Sequence, residues 1–261
     1  MCRIAAYLGP PTPLSGLLGG SPHGLLHQSY APRRMTVGRL NADGWGVGWF
    51  VGESGKPGLL RGKQPIWSDE NAETATEAIE AGVILGSVRG ASPGLGISVA
   101  NTMPFMGEAC LFAHNGHIKP WAGPLARALR SRLSLAAEAA LRGTTDSEVF
   151  FGLVQDRVRD GVEVGRALTD VIGTISVAAE AAGGGFSANA IWADRSSIVA
   201  ARWARPDPAP SLFLLRHDDR WREGVLIASE PLDDSPGWRE IPAGTLLRID
   251  ASGIKVESMA I

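Results

Sequence analysis

Two amphipathic stretches, Asp146–Val158 and Val162–Ala182, separate two groups of short apolar segments, and this order constrains the fold most. In the first stretch Val149, Phe150, Leu153, Val154 and Val158 recur at close to helical spacing. Thr144-Thr145-Asp146 supplies a capping signal at its start. The second runs into Gly183-Gly184-Gly185, a natural helix end. Pro124–Leu141, rich in Ala, Leu and Arg, reads as another helix. Asn71–Ala81 reads as a further one, with Asn71 as cap and Glu73 and Glu77 near its positive end. Ahead of the long helices stand strand candidates at Cys2–Leu8, Trp45–Val51, from Leu59 onward, Val83–Val88 and Ala109–Ala113. Behind them stand Ala188–Ala193, Ile198–Trp203, Leu212–Leu215, Val225–Ser229, Thr245–Ile249 and Ile254–Val256. Gly9–Gly24 reads as a loop with a short helix. Strands, then helices, then strands argue for a layered α+β domain rather than a βαβ array. A chain of 261 residues is long enough for one large core, so residues 2–261 are expected to form a single domain.

Charge and cysteine usage exclude several classes. The formal net charge of −2 leaves no basic footprint for nucleic acid. No apolar run approaches a membrane span, and the N-terminus lacks the pattern of a secretory signal. Cys2 and Cys110 are the only cysteines, too few for a disulfide framework or a zinc site. His114 and His117 lie three apart, but no further cluster supports a metal. The expected setting is reducing cytoplasm, with no metal and no organic cofactor.

Chemistry is concentrated in five stretches, each with a plainer reading. Met1 precedes the small residue Cys2, so aminopeptidase processing would leave Cys2 first. Its α-amine would titrate near pH 8 and could act as base for its own thiol. Asp43-Gly44-Trp45-Gly46 is turn chemistry leading into a strand where large residues alternate with Gly. Arg89 to Ser92 closes a strand, where an arginine is usually solvated or paired. His114-Asn115-Gly116 follows an apolar strand, and Asn-Gly is the commonest hairpin turn. In Thr145 to Glu148, Asp146 is most simply a helix cap.

Together these stretches resemble the class II glutamine amidotransferases, a family of N-terminal-nucleophile (Ntn) hydrolases. The mature chain of that family begins with Cys. It carries an Arg at a mid-domain strand end, a His-Asn-Gly strand end and an Asp-Ser-Glu helix start, in the order found here. Asn101 to Phe105 and Ser229-Glu230-Pro231-Leu232-Asp233 also look like family segments. Met103 stands where many relatives have His. The resemblance covers nearly the whole chain and implies one class II domain, a four-layer αββα Ntn-hydrolase sandwich. Gln28 to Arg34, Asn41 to Gly46 and Ser229 to Trp238 are similar to the ergothioneine-pathway amidohydrolases of the family. Those enzymes hydrolyse γ-glutamyl-hercynylcysteine S-oxide to glutamate and hercynylcysteine S-oxide.

The resemblance also implies roles. The Cys2 thiolate attacks the γ-glutamyl amide and forms a thioester. Asn115 and the Gly116 N–H form the oxyanion hole. Arg89 binds the substrate α-carboxylate with Ser92 as hydroxyl partner, Asp146 binds the α-ammonium, and His114 belongs to the substrate site. For the trimethylammonium of the leaving group, Tyr30 and Trp45 are the leading aromatic candidates, with Trp49 and Trp67 behind them. The partner is a small γ-glutamyl molecule, and a homodimer stays open. Two competing readings remain: a glutaminase subunit feeding ammonia to a separate synthase, and a catalytically silent γ-glutamyl-binding module.

Overall fold

The computed structural model describes residues 2–36, 38–50, 56–92 and 94–261, without the Asn71 side chain. Met1, Val51 and the proposed Asn71 cap therefore lie outside the described residues. Among those described, the strands are β1 (Arg3–Pro13), β2 (Trp45–Phe50), β3 (Pro57–Gly62), β4 (Glu80–Val88), β5 (Phe105–Met106) and β6 (Leu111–Lys119). They continue with β7 (Gly185–Ala193), β8 (Ile198–Arg205), β9 (Phe213–Leu215), β10 (Val225–Ala228), β11 (Arg239–Glu240), β12 (Thr245–Asp250) and β13 (Gly253–Ser258). The α-helices are α1 (Ser15–Leu18), α2 (Leu25–Tyr30), α3 (Glu70–Glu77), α4 (Gly123–Arg130), α5 (Leu135–Ala140), α6 (Asp146–Arg159) and α7 (Val164–Ala181).

The strands form two antiparallel sheets, ordered β11-β9-β10-β1-β4-β2-β3 and β13-β12-β8-β7-β6-β5. Period-2 alternation sends each strand's side chains to two faces. On β1, Ile4 and Ala6 enter the core shared with the second sheet, while Ala5 and Tyr7 pack with Leu17, Leu18 and Leu25 of α1 and α2. On β6, Phe112 and His114 meet Phe150 of α6 edge-on. Their neighbours Leu111 and Ala113 belong to the core that also holds Ile4 and Leu85 of the first sheet. The layers are therefore helix, sheet, sheet, helix. No helix among the described residues is long and apolar enough to cross a membrane.

Four local expectations are corrected. First, β1 does not stop at Leu8: after an irregularity it rejoins β4 through Thr12–Ala81 and Pro13–Glu80. The prolines there suit an extended backbone, since their φ near −65° is already set. Second, the Pro124–Leu141 pattern splits into α4 and α5, because the Ser134 hydroxyl accepts from Ala137 N–H and starts a new helix. Third, His114-Asn115-Gly116 is neither a turn nor a strand end. It sits inside β6, paired with Ala190, Asn189 and Ala188 of β7. Ladder pairing to a wholly buried strand outweighs the local turn preference of Asn-Gly. Similarly, α3 ends at Glu77, because β4 claims Glu80 and Ala81 for pairing with β1.

Candidate active site

Cys2 immediately precedes β1, at the junction of the two sheets, and is half-buried. Its thiol lies 3.9 Å from the Gly90 carbonyl, which follows β4. Two donors meet at its own carbonyl oxygen: Arg3 Nε at 2.9 Å and the Asn115 side-chain amide. Asn115 is fully buried, and its Oδ1 accepts from Asn189 Nδ2 at 3.3 Å, which fixes the amide so that Nδ2 faces Cys2.

The β6 edge next to Cys2 is open, because β5 pairs only with Phe112 and Leu111. Backbone N–H groups alternate sides along a strand. His114 N–H reaches the sulfur of Met103 at 3.1 Å, and Ile118 N–H reaches Asp146 Oδ2 at 2.9 Å. Gly116, midway between them, therefore presents its N–H to the same edge. Gly is required at this position: a Cβ would lie 1.9 Å from the Ser187 carbonyl oxygen and 2.6 Å from His114 Nε2.

His114 serves as a strut. It is buried, with Nδ1 2.8 Å from Ser147 Oγ and Nε2 3.0 Å from the Ser187 carbonyl. A carbonyl only accepts, so Nε2 carries the proton and Nδ1 accepts from the serine hydroxyl. Burial lowers its pKa against the pull of Asp146, which keeps the ring neutral. Asp146, the first residue of α6, directs its carboxylate at the N–H groups of Ile118 and Ser147. Its charge also complements the helix N-terminus. The Thr145 hydroxyl caps the helix by accepting from Glu148 N–H at 3.1 Å.

Arg89 is 3% exposed, and its guanidinium donates to the carbonyls of Asp43 at 3.4 Å and Gly96 at 3.1 Å. Asp43 in turn accepts from Ala91 N–H at 2.7 Å and donates its own N–H to Arg89 O at 2.9 Å. Cys2, Arg89, Ser92, Met103, Gly116 and Asp146 all line one narrow cavity of about 30 Å³. A larger cavity of about 530 Å³, walled by Leu18, Trp67, Asp69 and Glu73 among others, contains only Trp67 of the site candidates named from sequence. We assign chemistry to the small one, because the Cys2 thiol, the Arg89 cation and the Asp146 carboxylate meet there.

The family profile described as "Glutamine amidotransferases class-II" matches residues 24–259. The chain belongs to the class-II glutamine amidotransferases. It is 32% identical over 259 residues to a γ-glutamyl-hercynylcysteine sulfoxide hydrolase of Mycobacterium tuberculosis, covering 99% of this chain and 97% of the relative. A hydrolase of the same name from Mycolicibacterium smegmatis is 34% identical over 242 residues, covering 93% and 92%. A glutamine aminotransferase class-II domain protein from Silicibacter pomeroyi superposes with a TM-score of 0.76 at 25% identity, with full coverage of both chains. The two sheets and their helical layers make this amidotransferase an αββα Ntn-hydrolase sandwich.

In this amidotransferase the aromatic candidates lie apart from the Cys2 cavity. Trp45 is buried and donates its indole N–H to Asp69 Oδ2 at 3.0 Å. Tyr30 is exposed and stacks edge-on with His27 and Trp67. Three residues at the site lacked an assignment from sequence. Asp43 lay in a stretch singled out from sequence but carried no role beyond turn chemistry there, and it braces the Arg89–Ala91 segment. Asn189, inside an apolar strand, carried no signal beyond being polar there. Asn101 bridges the Gly96 carbonyl at 2.8 Å and the Thr144 N–H at 2.8 Å, joining the Arg89 loop to the start of α6. Met103 has a physical account: its thioether is a weak acceptor that takes the open-edge N–H of His114.

Proposed function

We propose that residues 2–261 act as one amidohydrolase domain that cleaves the γ-glutamyl amide of γ-glutamyl-hercynylcysteine S-oxide, releasing glutamate and hercynylcysteine S-oxide. The observation that carries this reading is the single cavity in which residues 2, 89, 92, 116 and 146, drawn from separate segments, converge. The near-full-length hydrolase relatives support the choice of substrate.

In this reading the Arg89 fork takes the substrate α-carboxylate. The guanidinium, which donates to two neutral carbonyls in the free site, gains a full opposite charge and a matching fork geometry in the carboxylate. Asp146 takes the α-ammonium. The Cys2 thiolate attacks the γ-carbonyl carbon, and the oxyanion is held by Asn115 Nδ2 and Gly116 N–H. The C–N bond then breaks, the leaving amine takes a proton from the Cys2 α-ammonium, and a thioester remains. Water, deprotonated by the now neutral α-amine, attacks the thioester, and glutamate leaves as the thiol reforms. His114 stays neutral throughout and fixes the strand that carries Asn115 and Gly116. The unpaired thiols Cys2 and Cys110 favour a reducing, cytoplasmic setting.

The test is intact mass together with glutamate release, on wild type and Cys2→Ala, from glutamine and from the sulfoxide conjugate. A mass lacking Met1, release mainly from the conjugate and an inert Cys2→Ala are expected. Preference for glutamine would replace this reading with a glutaminase. Retained Met1 with no turnover would leave a binding module.

A further inference from the structure

The mechanism leaves one buried ion pair unused. Arg3 and Glu230 are 0% and 2% exposed and lie 227 residues apart in sequence, with Nη1 3.1 Å from Oε1. Arg3 also donates Nε to the Cys2 carbonyl at 2.9 Å. Glu230 accepts, on its two oxygens, the backbone N–H groups of Arg33 at 2.6 Å and Arg34 at 2.9 Å. The Gln28 side chain reaches the Glu230 carbonyl at 3.5 Å. Two segments far apart in sequence, residues 28–34 and 229–238, thus meet at the residue next to Cys2.

Stability alone is a poor reason for this pair. Taking two charges out of water is expensive, and apolar residues of similar volume often do as well. Arg3 Nη2 is moreover buried with no partner among the described residues. What the pair does accomplish is geometric. A processed N-terminal residue has no preceding chain to hold it, and only β1 follows. Ser229 fixes Ile4 from both sides, through Oγ to Ile4 N–H and N–H to Ile4 O. Arg3 extends that grip one step further, to the Cys2 carbonyl opposite the Asn115 amide.

We propose that Arg3, locked by Glu230, is a positioning residue for Cys2: it holds the nucleophile's backbone so that the thiol meets the γ-carbonyl of a substrate anchored through its α-groups by Arg89 and Asp146. The proposal rests on Cys2 being the reacting thiol. Displacing a reacting group by about 1 Å can lower the rate about a hundredfold.

The experiment compares wild type, Arg3→Met, Glu230→Gln and the double variant, measuring kcat, KM and the thermal midpoint with the conjugate and with glutamine. Each single variant strands a charge and lowers the midpoint. The double variant strands none and regains it. If the pair positions Cys2, kcat of the double variant stays about ten- to a hundredfold below wild type while KM holds within about twofold. Recovery of kcat together with the midpoint would overturn the proposal and leave a purely structural pair. A wild type inert toward both substrates would instead overturn the functional reading, and the proposal with it.

Discussion

Gly116→Ala tests whether the strut beneath the active-site strand is as tight as its geometry implies. The new methyl would sit 1.9 Å from the Ser187 oxygen and 2.6 Å from His114 Nε2. Backbone holds one of those atoms and a buried ring the other, so the conflict requires a shift of about 1 Å. Overpacking of this kind typically costs about 1–3 kcal/mol. The same shift separates Nε2 from its carbonyl, and a buried donor left unpaired adds about 1–3 kcal/mol. The total, roughly 2–6 kcal/mol, is a large share of the ~5–15 kcal/mol that holds a domain together. Urea unfolding followed by tryptophan fluorescence reads it directly. With an m-value of about 2–3 kcal/mol/M, the midpoint should fall by roughly 0.7–3 M. Gly96→Ala is the control, because a Cβ there meets nothing within 4 Å, and it should stay within about 0.5 kcal/mol of wild type. A Gly116→Ala protein as stable as the control would refute the claim that His114, Ser187 and Gly116 are mutually locked.

Arg89→Lys keeps the charge but loses the fork, so KM for a γ-glutamyl substrate should rise about tenfold or more with a smaller change in kcat; steady-state kinetics decide, and an unchanged KM removes Arg89 from carboxylate binding. His114 and His117 both have pKa values lowered by burial. The unfolded chain therefore binds more protons below about pH 6.5, and stability, full above that pH, should decline as the pH falls toward 5.5. His114→Gln should flatten that decline by up to one proton, or about 1.4 kcal/mol per pH unit, and an equally steep slope in urea titrations of the variant would contradict a neutral buried ring. Burial pushes the Cys110 thiol up to about 12, so native protein treated with iodoacetamide at pH 8 should carry label on Cys2 and none on Cys110; peptide mapping that finds Cys110 labelled as fast as Cys2 disproves its sealed setting.

Much of the architecture was legible because it is local. Thr145 caps α6 as its sequence announces, and the apolar spacing from Val149 to Val154 turns into a buried helix face. Apart from the Ser134 cap that splits α4 from α5, the errors share one physical origin. Asn115-Gly116 carries turn chemistry, but nine buried residues of β7 offer a continuous ladder, and tertiary pairing decides. Pro10 and Pro11 look like loop, but β4 continues past them and takes up Thr12 and Pro13. Asp43 reads as a turn residue because its partner, Ala91 N–H, lies 48 positions away. Nothing in a local window distinguishes a carboxylate that closes its own turn from one that braces a distant loop.

The same limit explains why Cys2 stood out as a candidate nucleophile while its setting did not. Cys2 stands out by its position in the chain, next to Met1. The groups that orient it come from residues 90, 115, 189 and 230, and each looks ordinary where it stands. They meet because β1 is central in its sheet, between β10 and β4, so the chain's first residues are enclosed on both sides. The Ser229–Ile4 hydrogen bonds follow the β10 pairing, and the Cys2 thiol approaches Gly90 because β4 has brought Val88 beside Arg3. From the second sheet, Asn115 reaches across to the Cys2 carbonyl, on the strand face opposite that of His114. A terminal nucleophile would fray on an edge strand. Centring its strand confines Cys2 to one place, and in the proposed mechanism this keeps the processed N-terminus at the site as acid and base.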